Sequence, residues 1–218
     1  MARKGLRKGI FITFEGIEGC GKSTQSKLLC GRLRRRGLSC VHTREPGGTR
    51  LGEKVREVLL GSKGVAISDL TELFLFEAAR SQIVDEVIRP GLKRRAIVVC
   101  DRFSDATLCY QGYGGKVPLG TIRDLDRVAT GGLVPDLTLL LDIDVRTGLR
   151  RATKKGADRM ESKGIAYHSR VRNGYLKLAK ADPARVKVIR VSGNDIEEVQ
   201  SLIRREVELV IQRHKRTG

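Results

Sequence analysis

The sequence predicts an α/β fold: a doubly wound parallel five-stranded sheet flanked by helices. Two observations carry that expectation. Five short apolar runs rich in β-favouring residues recur along the chain, and every gap between them is long enough for a helical crossover. The runs are Ile10 to Phe14, Leu38 to Thr43, Ala96 to Cys100, Leu137 to Ile143 and Val186 to Val191. Strands sandwiched between two helical layers bury both faces, which favours a parallel sheet.

The first run leads into a glycine-rich stretch and then a helix. After the second, Leu51, Val55, Val58 and Leu59 share one helical face. Leu70, Leu73, Phe76, Ile83 and Val87 form a second stripe, predicted to stop before Pro90. Gly112 to Gly120 reads as a loop, and Lys154 to Gly164, with mixed charge and no apolar stripe, as a lid. The last helix is the clearest. Asn194 or Asp195 can cap it, Glu197 and Glu198 suit its first turn, and Val199, Leu202, Ile203, Val207 and Val210 form its apolar stripe.

A length of 218 residues fits one domain over residues 1–218, with a lid near residues 150–164. With 40% hydrophobic and 31% charged residues, the composition is globular and shows little sign of extended disorder. The net charge of +18 implies attraction to polyanions, whether nucleic acid, anionic membrane or nucleotide phosphates, and does not choose among them. Arg34 to Arg36 and His214 to Arg216 read as solvated surface. The five cysteines stand singly with no CxxC pair, which argues for a reducing, cytoplasmic compartment. Met1 to Lys8 is basic like the start of a signal peptide, but Ile10 to Phe14 is too short for its apolar core, and no stretch is long enough to span a membrane.

Gly16-Ile17-Glu18-Gly19-Cys20-Gly21-Lys22-Ser23 matches GxxxxGK[ST] in the required place between strand and helix. Glycines let successive N–H groups turn inward, and the helix adds the positive end of its dipole, so the nest from Gly16 through Thr24 suits the phosphates of ATP. Lys22 is expected at the β- and γ-phosphates and Ser23 at Mg²⁺. The same cradle serves ATPases, GTPases and small-molecule kinases. The acceptor must therefore be read from other residues.

One such pair is Asp101-Arg102, at the carboxyl end of the third run, where sheets of this class bind ligands. Asp101 can hold Mg²⁺ directly or through water, and Arg102 can clamp a phosphate with its fork of donors. Asp142 and Asp144 are rivals for the metal role.

Together with Phe14 to Gln25, the stretches Thr43-Arg44-Glu45-Pro46-Gly47-Gly48-Thr49, Phe76-Glu77-Ala78-Ala79-Arg80 and Asp101-Arg102-Phe103 on to Tyr110-Gln111-Gly112 resemble the thymidylate kinase family over nearly the whole chain. The resemblance implies a P-loop nucleoside monophosphate kinase fold and transfer of the γ-phosphoryl group of ATP to dTMP. It further implies that Phe76 stacks on thymine, Arg80 donates to a base oxygen, Gln111 reads the base edge and Arg102 clamps the monophosphate. Glu18 resembles the acid that meets the sugar 3′-hydroxyl. Tyr110 occupies the place of the ring that packs on deoxyribose, and Glu45 and Arg56 resemble residues that order the pocket. A homodimer built on helices from the middle of the chain is also implied.

No arginine stands inside the nest, so the sequence resembles the bacterial type in which the lid supplies the transfer cation. Arg150, Arg151, Lys154, Lys155 and Arg159 are available, with Arg151 and Arg159 favoured. Ala106 departs from the Ser or Thr common near the base, and the lid is one residue short. Adenine contacts are expected near Ser192 to Asp195. The alternatives are another nucleoside monophosphate kinase, for AMP or UMP, and a basic P-loop ATPase that binds nucleic acid. No groove-reading motif or aromatic RNA platform supports the latter, and nucleic acid is not required by the kinase reading.

Overall fold

The computed structural model describes residues 6–61, 66–153, 158–193 and 195–216. The strands are β1 (Ile10–Glu15), β2 (Cys40–Arg44), β3 (Ile97–Asp101), β4 (Leu137–Asp142) and β5 (Val186–Arg190), within a residue or two of the predicted runs. They form one sheet in the order β2-β3-β1-β4-β5, parallel at every pairing. The helices are α1 (Lys22–Arg35), α2 (Arg50–Gly61), α3 (Asp69–Ile83), α4 (Arg89–Lys93), α5 (Ser104–Thr107), α6 (Leu119–Thr130), α7 (Val145–Ala152), α8 (Gly164–Ala181) and α9 (Ile196–Arg216). Two π-helical segments, Val84–Ile88 and Leu108–Gly114, complete the set.

Successive strand residues enter different layers. Ile10, Ile12, Phe14, Ile97 and Val99 join one core cluster, while Phe11, Val98 and Cys100 join another with Ile83, Ile88 and Phe103. Pairing of Phe14 and Arg44 with Asp101 aligns the carboxyl ends of three strands. Glu15, Glu45 and Arg102, which follow or end those strands, therefore meet at one sheet edge. The Arg102 N–H donates to the Phe14 carbonyl at 2.9 Å, and the Glu45 N–H to the Asp101 carbonyl at 2.9 Å.

Three expectations are corrected. The helix after Leu70 does not stop before Pro90: α3 passes through Val84–Ile88 into α4, with Pro90 in the first turn of α4. Proline lacks an N–H, so it is tolerated at a helix start, and the π turn, closed by the Arg89 N–H on the Val84 carbonyl, provides one. The expected loop from Gly112 to Gly120 is confined to residues 115–118: Gly112 and Gly114 end the second π-helical segment, where they mark close packing, and Gly120 lies in α6. A Cβ on Gly112 would lie 2.4 Å from Leu119 Cδ2, and one on Gly114 2.7 Å from Val171 Cγ2. Third, the predicted stripes are only partly core. Leu59, Leu73 and Ile83 are buried, whereas Leu51, Val58 and Leu70 are exposed.

At the last helix, Asp195 Oδ1 accepts from the N–H groups of Glu197 (2.9 Å) and Glu198 (3.0 Å), a cap of about 1 kcal/mol. Asn194, the alternative cap, lies outside the described residues, as do Lys154 and Lys155 of the lid. Val199, Ile203, Val207 and Val210 are buried, and Leu202 is exposed. Among the described residues no helix is long and apolar enough to cross a membrane.

Candidate active site

Between β1 and α1 the chain turns on Gly16 (φ 134°), Gly19 (φ 68°) and Gly21 (φ 95°), a left-handed backbone that side chains disfavour. A Cβ on Gly19 would lie 2.0 Å from the Gly148 carbonyl oxygen, so α7 packs directly on the nest. A Cβ on Gly21 would meet nothing within 4 Å. Lys22 folds its ammonium into the nest, donating to the carbonyls of Gly16 (3.1 Å) and Ile17 (2.8 Å). Ile17 and Cys20 are buried apolar members of the core, while Thr24 opens outward on α1.

Ser23 donates its hydroxyl to Asp101 Oδ2, and both residues line one open cleft. A hydroxyl beside a carboxylate is an oxygen pair suited to a hard cation that takes its remaining ligands from water and phosphate. No group of three His, Cys, Asp or Glu side chains among the described residues forms a closed metal cage. The two rivals are otherwise engaged: Asp142 makes a bidentate pair with Arg172 (2.6 and 2.9 Å), and Asp144 caps α7 by accepting from the Thr147 N–H at 3.0 Å.

Arg102 holds φ at 69°, a left-handed conformation costing a non-glycine residue about 1 kcal/mol. Its Nη1 donates to the Gly16 carbonyl (3.0 Å) and to the Tyr175 hydroxyl (3.4 Å), and Nη2 to Glu18 Oε1 (3.0 Å). The guanidinium lies 4.8 Å above the Tyr110 ring, whose hydroxyl also donates to Glu18 Oε1 at 2.7 Å. Burial is the largest single influence on Glu18 and opposes its charge. Arg102, His168, Lys22 and Tyr110 together outweigh it, Arg102 foremost, and hold the carboxyl down at about 2.

Behind this group lies Glu15. It accepts from the Phe103 N–H and the Tyr175 hydroxyl, both at 2.7 Å, and burial together with the negative charge of Asp105 pushes it up to about 8. Its carboxyl therefore carries a proton for most of the neutral range.

The far end of the cleft is lined by Phe76 and, one turn along α3, Arg80. Arg80 is fully buried and donates to Glu45 (2.8 Å), Glu77 (2.7 Å), Asp126 (3.3 Å) and Thr107 (2.8 Å). Those bonds use four of its five N–H groups and leave one of the Nη2 pair for a ligand. One guanidinium cannot neutralise three carboxylates, and burial pushes Glu45 up to about 7. Arg56, also on the cleft, donates to the Pro46 carbonyl at 2.9 Å. Gln111 is buried and donates to Glu72 Oε1 at 2.7 Å.

The two favoured lid cations diverge. Arg151 stands at the nest, where a Cβ on Gly19 would approach its own Cβ at 3.1 Å, and it donates to the Gly193 carbonyl at 2.7 Å. That bond joins it to the stretch where adenine contacts were expected. Arg159, expected to face the transferring phosphate, is instead turned across the cleft's acceptor end. Its Nε donates to the Leu59 carbonyl at 2.8 Å and its Nη2 pairs with Glu72, a buried carboxylate that also holds Lys163 at 3.3 Å. The physical reason is Glu72 itself, a buried negative charge that draws both nearby cations.

Sequence reasoning missed Glu15, Glu72, Thr107, Asp126, His168 and Tyr175. Glu15 alone left a signal, as a carboxylate ending an otherwise apolar strand.

A phosphate nest after the first strand of a parallel sheet, opening into one cleft lined further along by a guanidinium, a tyrosine and a phenylalanine, defines a P-loop phosphotransferase. The family model described as Thymidylate kinase matches residues 14–203. The thymidylate kinase of Dehalococcoides mccartyi (strain ATCC BAA-2266) is 52% identical over 176 residues, 81% of this chain and 85% of that one. That of Symbiobacterium thermophilum is 46% identical over 207 residues, 95% and 96% of the two chains. Among solved structures, thymidylate kinase from Ehrlichia chaffeensis is similar with a TM-score of 0.77 at 35% identity, covering 91% of this chain and 98% of that one. This chain belongs to the thymidylate kinase family.

Proposed function

We propose that this protein transfers the γ-phosphoryl group of ATP to dTMP, giving dTDP and ADP. The observation that carries the reading is the continuity of one cleft from Lys22 and Ser23, past Arg102, Glu18 and Tyr110, to Phe76, Arg80 and Gln111. A monophosphate acceptor is already largely ionised at neutral pH, its second pKa being about 6. No general base is needed. What the reaction requires is cations and alignment.

In this reading the nest from Gly16 to Thr24 holds the donor phosphates, and Lys22 exchanges its carbonyl partners for the β- and γ-phosphates. Ser23 and Asp101 would hold Mg²⁺, which when bound neutralises charge on those phosphates. Arg102 offers its Nε and one Nη2 hydrogen, which have no hydrogen-bond partner among the described residues, to the acceptor phosphate. Phe76 stacks on thymine, the remaining Arg80 N–H and Gln111 meet the base edge, Tyr110 packs on the deoxyribose, and Glu18 takes the 3′-hydroxyl. Glu45 fixes Arg80, and Arg56 closes the phosphate side of the pocket. Arg151, beside the nest, is the transfer cation supplied from the lid, and Arg159 straps the lid down.

The chain works as a single domain, with residues 150–164 as its lid. It acts as a cytoplasmic homodimer, a reading supported by five free, buried cysteines and by exposed Leu51, Val58, Leu70 and Phe74 on the adjoining helices α2 and α3. The test is ATP-dependent diphosphate formation across dTMP, dUMP, UMP and AMP. Folded protein that binds ATP yet yields only inorganic phosphate with every acceptor refutes the proposal.

A further inference from the structure

His168, on α8, is fully buried, and its ring stands edge-on to Tyr167 at 5.4 Å. Neither ring nitrogen has a hydrogen-bond partner among the described residues. Its Nδ1 lies 3.2 Å from Glu18 Oε2, and that oxygen is likewise buried without a hydrogen-bond partner. Two orphaned polar atoms therefore face each other at contact distance, out of line for a straight bond. Leaving such groups unmatched is costly, and a small rotation of either side chain joins them.

The other oxygen of Glu18 explains why the anchor matters. Oε1 is shared by Arg102 and Tyr110. When the remaining N–H groups of Arg102 engage an acceptor phosphate, the guanidinium shares its charge with that phosphate and its pull on Oε1 weakens, leaving Oε1 able to accept from a sugar hydroxyl. A carboxylate held only through Oε1 would follow any shift of that guanidinium. We propose that His168 is a positioning residue that donates its Nδ1–H to Glu18 Oε2, so that Oε1 stays aimed at the acceptor's 3′-hydroxyl. The inference rests on the acceptor-side reading of Glu18 given above.

The experiment compares steady-state KM for dTMP and for 3′-deoxythymidine monophosphate, at saturating ATP, in the unaltered protein and in His168→Asn, His168→Gln and His168→Phe. An asparagine amide nitrogen falls near Nδ1 and a glutamine amide nitrogen near Nε2, so two polar variants of similar burden on folding differ only in where they donate. The unaltered protein and His168→Asn are expected to favour dTMP by about tenfold, the worth of a hydrogen bond to a charged group. In His168→Gln and His168→Phe that preference collapses toward unity while KM for ATP is unchanged. Equal preference in the Asn and Gln variants, or full preference in a folded Phe variant, overturns the role of His168. If the unaltered protein itself shows no preference for the 3′-hydroxyl, the reading of Glu18 falls and the proposal with it. That result is distinct from a preference that is present but indifferent to position 168.

Discussion

Arg102 joins two costs at one residue: a left-handed backbone and a partly buried guanidinium. Both are met by the Phe14 carbonyl, Glu18, Tyr175 and the face of Tyr110. Replacing Arg102 by Ala is expected to lower kcat/KM by about 10² to 10³, the range for losing a fixed charge that faces a transition state. Near-normal turnover in folded protein would remove the clamp from the mechanism. Glu15 provides a pH test. Its carboxyl is raised from 4.5 to about 8, so the folded protein keeps a proton that the unfolded chain releases between those values. The stability it contributes is complete below about pH 4.5 and is lost as pH rises toward 8. Glu18, depressed to about 2, acts with the opposite sign, contributing above its ordinary value and losing that contribution in acid. Thermal melts from pH 5 to 9 should therefore fall less steeply for Glu15→Gln than for the unaltered protein, and parallel curves would refute a buried neutral carboxyl. At this scale the motif residues were legible because Gly16 to Ser23 and Asp101-Arg102 are contiguous. His168 and Tyr175 were not, since they meet Glu18 and Glu15 across 150 and 160 positions of chain.

The elements divide in the same way. Strands β1, β3 and β4 were legible because burial on both faces leaves nearly unbroken apolar runs. The π segments were not. Pro90 and the glycines from Gly112 to Gly115 carry ordinary stop signals, and only the neighbours they pack against reveal why the helical path continues. Between elements, Glu72 on α3 ties down the segment from Arg159 to Lys163 and also holds Gln111. Its change to Gln removes the charge that collects those cations. Amide exchange across residues 158–163 should accelerate several-fold in Glu72→Gln while β1 and β3 keep their protection. Unchanged exchange in that segment would mean that the lid is held by other contacts.

For the whole molecule, the exposed apolar residues of α2 and α3 explain why the sequence shows fuller stripes there than one chain's core consumes. Leu51, Val58, Leu70 and Phe74 each remain between 47 and 52% exposed. In the homodimer reading a second copy covers them. Light scattering on the purified protein should then give twice the chain mass, and Phe74→Glu should give the single-chain mass without loss of helical signal. A monomer in the unaltered protein would refute the assembly. The parallel order of the sheet brings residues as distant as Glu15, Glu45 and Arg102 to one edge, and of that convergence the sequence showed only Asp101-Arg102 at the carboxyl end of its run. The acceptor end was not legible, because it is knotted through a single carboxylate. Glu72 binds both Gln111, the proposed reader of the base, and Arg159 with Lys163 of the proposed lid. Under that proposal, any change at this corner that retunes which nucleobase is admitted also alters how fast the cleft opens and closes, so fidelity and throughput are inherited together.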